Sequence, residues 1–213
     1  MRISCWLIAV WLGVASGAQA GDWKALSREQ ALEQTRSEHA DRRRLAYGRL
    51  ADVGTLDDIP VLLAGLWDSE PLVRGMAEQV VWGIWMRTGD AIVDPLFQTG
   101  ISLITTNELE AAIEKLSDVI ALRPEFAEAW NRRGDAWANA GDEIRALADY
   151  AHALELNPYH FGALESCGRI WFERRQYRQA AEFFRRAVEI NPNLWNVVEV
   201  LRRLEKELED EKI

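Results

Sequence analysis

Cys167, with His160 one loop before it, is the only thiol in this sequence placed like a nucleophile with a base nearby. A catalytic thiol needs an electropositive, accessible setting to ionise. Cys167 instead stands beside Gly168, where the local pattern puts an inward apolar residue, and a buried thiol behaves as a small hydrophobe. It is therefore read as core. None of the three histidines, His39, His152 and His160, has a second His or Cys at metal-ligand spacing, so no zinc site is expected. Paired carboxylates have the right type for acid–base work: Asp57-Asp58, Asp142-Glu143 and Glu209-Asp210-Glu211. They fall at predicted helix starts or on a charged tail, where capping and solubility account for them. There is no glycine-rich phosphate loop, no Gly-x-Ser-x-Gly elbow and no His-Glu-x-x-His helix. The sequence calls for no catalytic residue, no cofactor and no metal.

The elements that carry these residues follow a period. Trp130, Gly134, Trp137, Ala146, Tyr150, Ala153 and Pro158 recur thirty-four residues later as Leu164, Gly168, Trp171, Ala180, Phe184, Ala187 and Pro192. The same step backwards gives Leu96, Gly100, Leu103, Ala112, Leu116, Val119 and Pro124. Trp130, Gly134 and Trp137 share one helical face by their three- and four-residue spacings. Gly134 leaves room where two antiparallel helices must come close, and Ala146 is the small partner on the second helix. Pro158 cannot continue that helix, because it lacks an amide hydrogen and its ring clashes with the turn before. Each block predicts a helix hairpin with one apolar face left over, which only a neighbouring hairpin can cover.

This pattern resembles the tetratricopeptide repeat over roughly half the chain. It departs at Arg133, where the family usually has Leu; the stem is expected to pack while the head reaches solvent. The resemblance implies an all-α, right-handed solenoid of helix hairpins whose first helices line a concave groove that receives peptides. The residues offset from the core stripe on those helices are Phe97, Ile101, Ile104, Glu128, Asn131, Asp135, Asn139, Glu165, Arg169, Phe172 and Glu173. They make a groove apolar at one end and mixed polar at the other. Asn131 and Arg169 are its expected anchors, since an amide and a guanidinium can bond a peptide backbone or carboxylate. Related proteins hold chaperone C-termini with a Lys, Asn and Arg clamp. Asp135 and Glu165 stand where carboxylate repulsion opposes that ligand.

Before the repeats, Ser27-Arg28-Glu29-Gln30 has the form of a capping box. Arg42, Arg43 and Arg44 point in three directions from a helix and read as a solvated face. Pro60, Asp68, Val73 and Arg74 resemble a HEAT repeat in their spacing. That resemblance implies that Asp68 and Arg74 pair, and that this unit covers the open face of the first repeat. Asp57-Asp58 offers a helix cap with Pro60 in the first turn. After Pro192, the stripe Leu194, Trp195, Val198, Leu201, Leu204 and Leu208 predicts an amphipathic helix that closes the array. The expected units are residues 21–91, a HEAT-like unit; 92–192, three repeats near 93–126, 127–160 and 161–194; and 193–213, a capping helix.

Residues 1–20 carry Arg2, an apolar run and then Ala18-Gln19-Ala20, the order of a secretory leader cleaved after Ala20. Cys5 precedes the apolar run and is misplaced for lipidation. The run is short for a bilayer span, so the mature chain is expected to be exported, periplasmic or secreted, with no stable membrane span. A formal charge of −9 argues against nonspecific nucleic-acid binding. Ten Trp at mostly helical spacing read as core. The expectation is a scaffold or adaptor that binds a protein or peptide partner. An enzyme accessory subunit or weak hydrolase, and a self-associating module, remain the alternatives.

Overall fold

The computed structural model describes residues 23–210; the leader expected at residues 1–20 lies outside them. Among the described residues every regular element is helical. The N-terminal unit holds α1 (Arg28–Gln34), α2 (Ala40–Val53), α3 (Ile59–Ala64) and α4 (Pro71–Trp85). Three hairpins follow: α5 (Val93–Thr105) with α6 (Leu109–Leu122), α7 (Ala127–Asn139) with α8 (Glu143–Leu156), and α9 (Phe161–Glu173) with α10 (Tyr177–Ile190). Helix α11 (Trp195–Asp210) packs its Val197, Leu201 and Leu204 against Ala180, Ala181 and Phe184 of α10 and so closes the last hairpin.

Each hairpin is set by the same pair of positions. A Cβ on Gly134 would lie 2.7 Å from the ring of Tyr150, and one on Gly168 would lie 2.5 Å from the ring of Phe184. Gly100 stands in the same relation to Leu116. The glycine is thus the socket for the large residue sixteen positions on, and any side chain there would push the helices apart. Tyr150 and Leu116 are fully buried as a result, each worth roughly 1.5–3 kcal/mol of apolar burial. The hairpin turns also repeat, with left-handed backbone at Asn107 (φ 63°), Gly141 (φ 84°) and Arg175 (φ 60°). Only the glycine adopts that conformation without steric cost.

The Arg133 guanidinium turns inward to a carboxylate rather than out to solvent, leaving its side chain 18 % exposed. It donates to both carboxylate oxygens of Asp149 at 2.7 and 2.8 Å and to Ser117 Oγ at 2.9 Å. A buried carboxylate on α8 meets the guanidinium, so the departure from Leu becomes a polar lock tying α7 to α8 and α6.

The N-terminal unit differs from the sequence expectation in three further ways. Arg43 is not solvated: it makes a two-pronged pair with Asp68 at 2.6 and 2.8 Å and also donates to the Ser37 and Glu38 carbonyls. With its carboxylate so engaged, Asp68 offers Arg74 only its backbone carbonyl, at 2.8 Å. Asp58 does not cap α3 with its side chain; it accepts from the Thr55 amide and from Arg28 at 2.7 and 2.9 Å. The capping box at Ser27 and Gln30 is present, with both reciprocal bonds formed.

The apolar core of this unit does not run chiefly into the first repeat. Leu50, Leu62, Val81 and Trp85 share one cluster with Phe161, Leu164 and Ala187 of the third hairpin. Polar bonds fix the same junction: Asn191 donates to Glu78 at 3.0 Å, Arg74 to Asn193 at 2.9 Å, and Asn193 to the Leu66 carbonyl at 2.9 Å. Helix α4 is laid across the loops that join one hairpin to the next. Contact with the first hairpin comes through Met86, which packs beside Val93 and Phe97, and through Asp94, which accepts from the Thr88 and Gly89 amides.

Candidate functional site

The face of α5, α7 and α9 turned away from their hairpin partners is divided into two rows. The row nearest the helix starts is covered. Asp94, Glu128 and Gly162 stand thirty-four residues apart in it; the Thr88–Gly89 turn after α4 meets Asp94, and Trp82 of α4 meets Gly162. Trp82 lies against Gly162, where a Cβ would come within 2.8 Å of its ring. The same indole is 5.7 Å from the Arg132 guanidinium and edge-on to His160 at 5.7 Å. Trp85 stacks on His160 with 4.8 Å between centroids and 18° between planes.

Beneath these rings is a buried polar chain. His160 Nε2 and Glu128 Oε2 are 2.5 Å apart, and Nδ1 of the same ring accepts the Ala163 amide at 3.1 Å. With Nδ1 accepting, the Nε2–H is the proton that Glu128 receives. Arg132 pairs with Glu128 at 2.7 Å and with Asp135 at 3.1 Å. Tyr150 donates to Asp135 at 2.8 Å. Burial by itself would raise the Glu128 carboxyl; the Arg132 charge, with the hydrogen bond from His160, brings it below its ordinary value. For Asp135 burial wins over Arg132 and Tyr150, and its pKa is raised. Burial also pushes up the Tyr150 phenol.

The candidate groove residues are therefore not equivalent. Phe97 is fully buried against Phe126, 4.8 Å between rings, and belongs to the core. Ile101 and Ile104 are half-buried beside that cluster. Asn131 is 2 % exposed and so is not an accessible anchor. Met86, at the end of α4, packs beside the Phe97 cluster and lies 3.8 Å from Arg132. Asp135 and Glu165 are half-buried. Asn139, Arg169, Phe172 and Glu173 are exposed and form the open row.

The sequence reading missed the covering helix and the His160–Glu128 bond. One signal was available, in that Gly162 replaces the acidic residue of the two earlier copies. Cys167 is 2 % exposed and burial pushes its thiol up to about 12, as befits a core position. Among the described residues no group of His, Cys, Asp and Glu is placed to hold a metal ion. No helix among them is long and apolar enough to cross a membrane.

A cleft of about 810 Å³ opens where α4 leaves the repeats. It is lined by the turn Gly54–Pro60, by Trp85 and Arg87, and by the hairpin junctions at Phe126 and Tyr159.

Comparison with known proteins bears on the repeats. The tetratricopeptide-repeat family model matches residues 97–160 and 144–194. Residues 97–194 are tetratricopeptide repeats. It is 35% identical over 86 residues to a TPR repeat-containing protein of Rhizobium etli, covering 40% of this chain and 42% of that one. It is 37% identical over 73 residues to human Superkiller complex protein 3, 34% of this chain and 5% of that one. The chain thus spans less than half the length of the curated relatives it matches. Among solved structures, the first TPR domain of Spaghetti bound to an HSP90 peptide aligns with a TM-score of 0.51 at 20% identity, over 55% of this chain and 92% of that one. The Sgt2 TPR domain of Aspergillus fumigatus aligns at 0.53 and 19%, over 58% and 83%. These last two establish the fold.

Proposed function

We propose that this protein is a non-catalytic interaction module that holds a segment of a partner protein along the open row of its repeats. The observation that carries the reading is the contrast within one face. The glycine sockets and the second-helix core positions of all three hairpins are buried, while Asn139, Arg169, Phe172 and Glu173 stay exposed on adjacent first helices. An aromatic ring between hydrogen-bonding groups is the composition of a binding surface rather than a solvated one. The Spaghetti domain holds an acidic HSP90 peptide; the carboxylates Asp135 and Glu165 favour a different ligand here. The setting we propose is outside the cytoplasm, supported by the leader order of residues 1–20.

The test is a crosslinked pull-down from the native source, with the captured partner then titrated by calorimetry. The triple variant Asn139→Ala, Arg169→Ala, Phe172→Ala should bind at least tenfold more weakly at unchanged helicity. Equal affinity would move the surface elsewhere. The intact mass of the native protein tests the setting: it should begin at Gly21, and a mass that includes residues 1–20 would overturn export by cleavage.

A further inference from the structure

We infer that the open row takes a lysine or arginine side chain of the partner polypeptide between Asp135 and Glu165. This deepens the interaction reading and rests on it. Glu165 is half-buried on α9, yet its carboxylate makes no hydrogen bond and no ion pair among the described residues. Burial raises its pKa; Arg169 opposes this and Asp135 adds to it. A partly desolvated anion without a partner is costly to maintain, and a cation supplied by a ligand relieves that cost.

The surrounding charges do not supply that cation. On α7 and α9 the face carries four carboxylates, Glu128, Asp135, Glu165 and Glu173, against two guanidiniums, Arg132 and Arg169. Arg132 is held by Glu128 at 2.7 Å beneath Trp82, and Arg169 reaches toward Glu173 at 4.0 Å. The unmet group open to a ligand here is the Glu165 carboxylate, an acceptor, which suits an ammonium or guanidinium and repels a carboxylate. Phe172 lies seven residues after Glu165 on the same face of α9 and is 40 % exposed, so an apolar side chain beside the cation has a surface to cover.

The experiment pans a displayed library of random twelve-residue peptides against the full chain, then measures a selected peptide against variants by fluorescence anisotropy. Selected peptides should carry a Lys or Arg next to apolar residues. Glu165→Gln should weaken binding about tenfold, the size of one charge-assisted hydrogen bond, and Glu165→Lys should abolish it. Replacing the peptide's lysine by norleucine should give the same loss, with no further loss in Glu165→Gln. The Glu165→Gln protein should melt no lower than wild type, because an unpaired anion has been removed. A residue needed for folding would behave in the opposite way. Selection of peptides with no cationic bias, or equal affinity for Glu165→Gln, overturns this inference and leaves the interaction reading standing. Recovery of no binding peptide at all overturns both.

Discussion

Replacing Glu128 by Gln removes one negative charge from the buried chain and keeps its shape. Glu128 is 1 % exposed and carries two contacts, the 2.7 Å pair with Arg132 and the 2.5 Å bond to His160. Breaking a fully buried ion pair from one side costs about 3–5 kcal/mol, because the other charge is stranded. Arg132 is 27 % exposed and keeps Asp135 at 3.1 Å, so the discounted figure is about 2–3 kcal/mol. For a chain of this size that corresponds to a melting temperature lower by about 5–10 °C. The assay is urea unfolding of wild type and Glu128→Gln across pH. The folded pKa of Glu128 lies below its ordinary value of 4.5, so its contribution is present above that value and is lost as pH falls through the folded pKa. The two proteins should therefore differ fully at neutral pH and converge in acid below about 4.5. A difference under about 1 kcal/mol at pH 7, or one that does not shrink in acid, would refute the account of this chain as a charged structural lock.

Three further outcomes test other parts of the fold. Gly162→Ala should force Trp82 off the repeats, lowering stability by about 1–3 kcal/mol and making the N-terminal unit more open to limited proteolysis; resistance equal to wild type would mean that the contact yields freely. Arg175→Gly should raise stability by up to about 1 kcal/mol, since it relieves a left-handed non-glycine residue that costs about 1–2 kcal/mol against a looser unfolded chain. A lower melting temperature would show that Arg175 makes a compensating contact. Cys167→Ala should cost about 1 kcal/mol through lost packing, and the wild-type thiol should react with a disulfide reagent only on unfolding; rapid native labelling would place it at the surface.

How much of this was legible in the sequence depends on the distance over which each decision is made. The hairpins were legible because their rules are local: Gly134 and Tyr150 lie sixteen residues apart, and Pro158 stops the helix it follows. The capping box at Ser27 is likewise satisfied within four residues. Arg43 and Arg133 were misjudged because an arginine's environment is set by a partner the sequence does not place beside it. Asp68 lies twenty-five residues from Arg43, and the Arg133–Asp149 pair recurs in neither of the other two copies, so periodicity carried no sign of it.

The site shows the same division more sharply. Periodicity marked Phe97, Asn131, Asp135, Asn139, Glu165, Arg169 and Phe172 as one face, and the repeat geometry keeps them on first helices. What lies beside that face was decided by α4, whose Trp82 and Trp85 cross to His160, Phe161 and Gly162 some eighty residues away. An amphipathic helix specifies that it must bury an apolar side, but not which of several apolar surfaces it will find. Here the choice fell on the junctions of the second and third hairpins, because only there do a missing Cβ at Gly162, a flat imidazole at His160 and the Asn191 and Asn193 amides meet two indoles and the side chains of Glu78 and Arg74. The sequence alone thus determined a stack of helix hairpins and the face they share; tertiary packing decided how much of that face is left to a partner, because burial depends on what comes to lie on top.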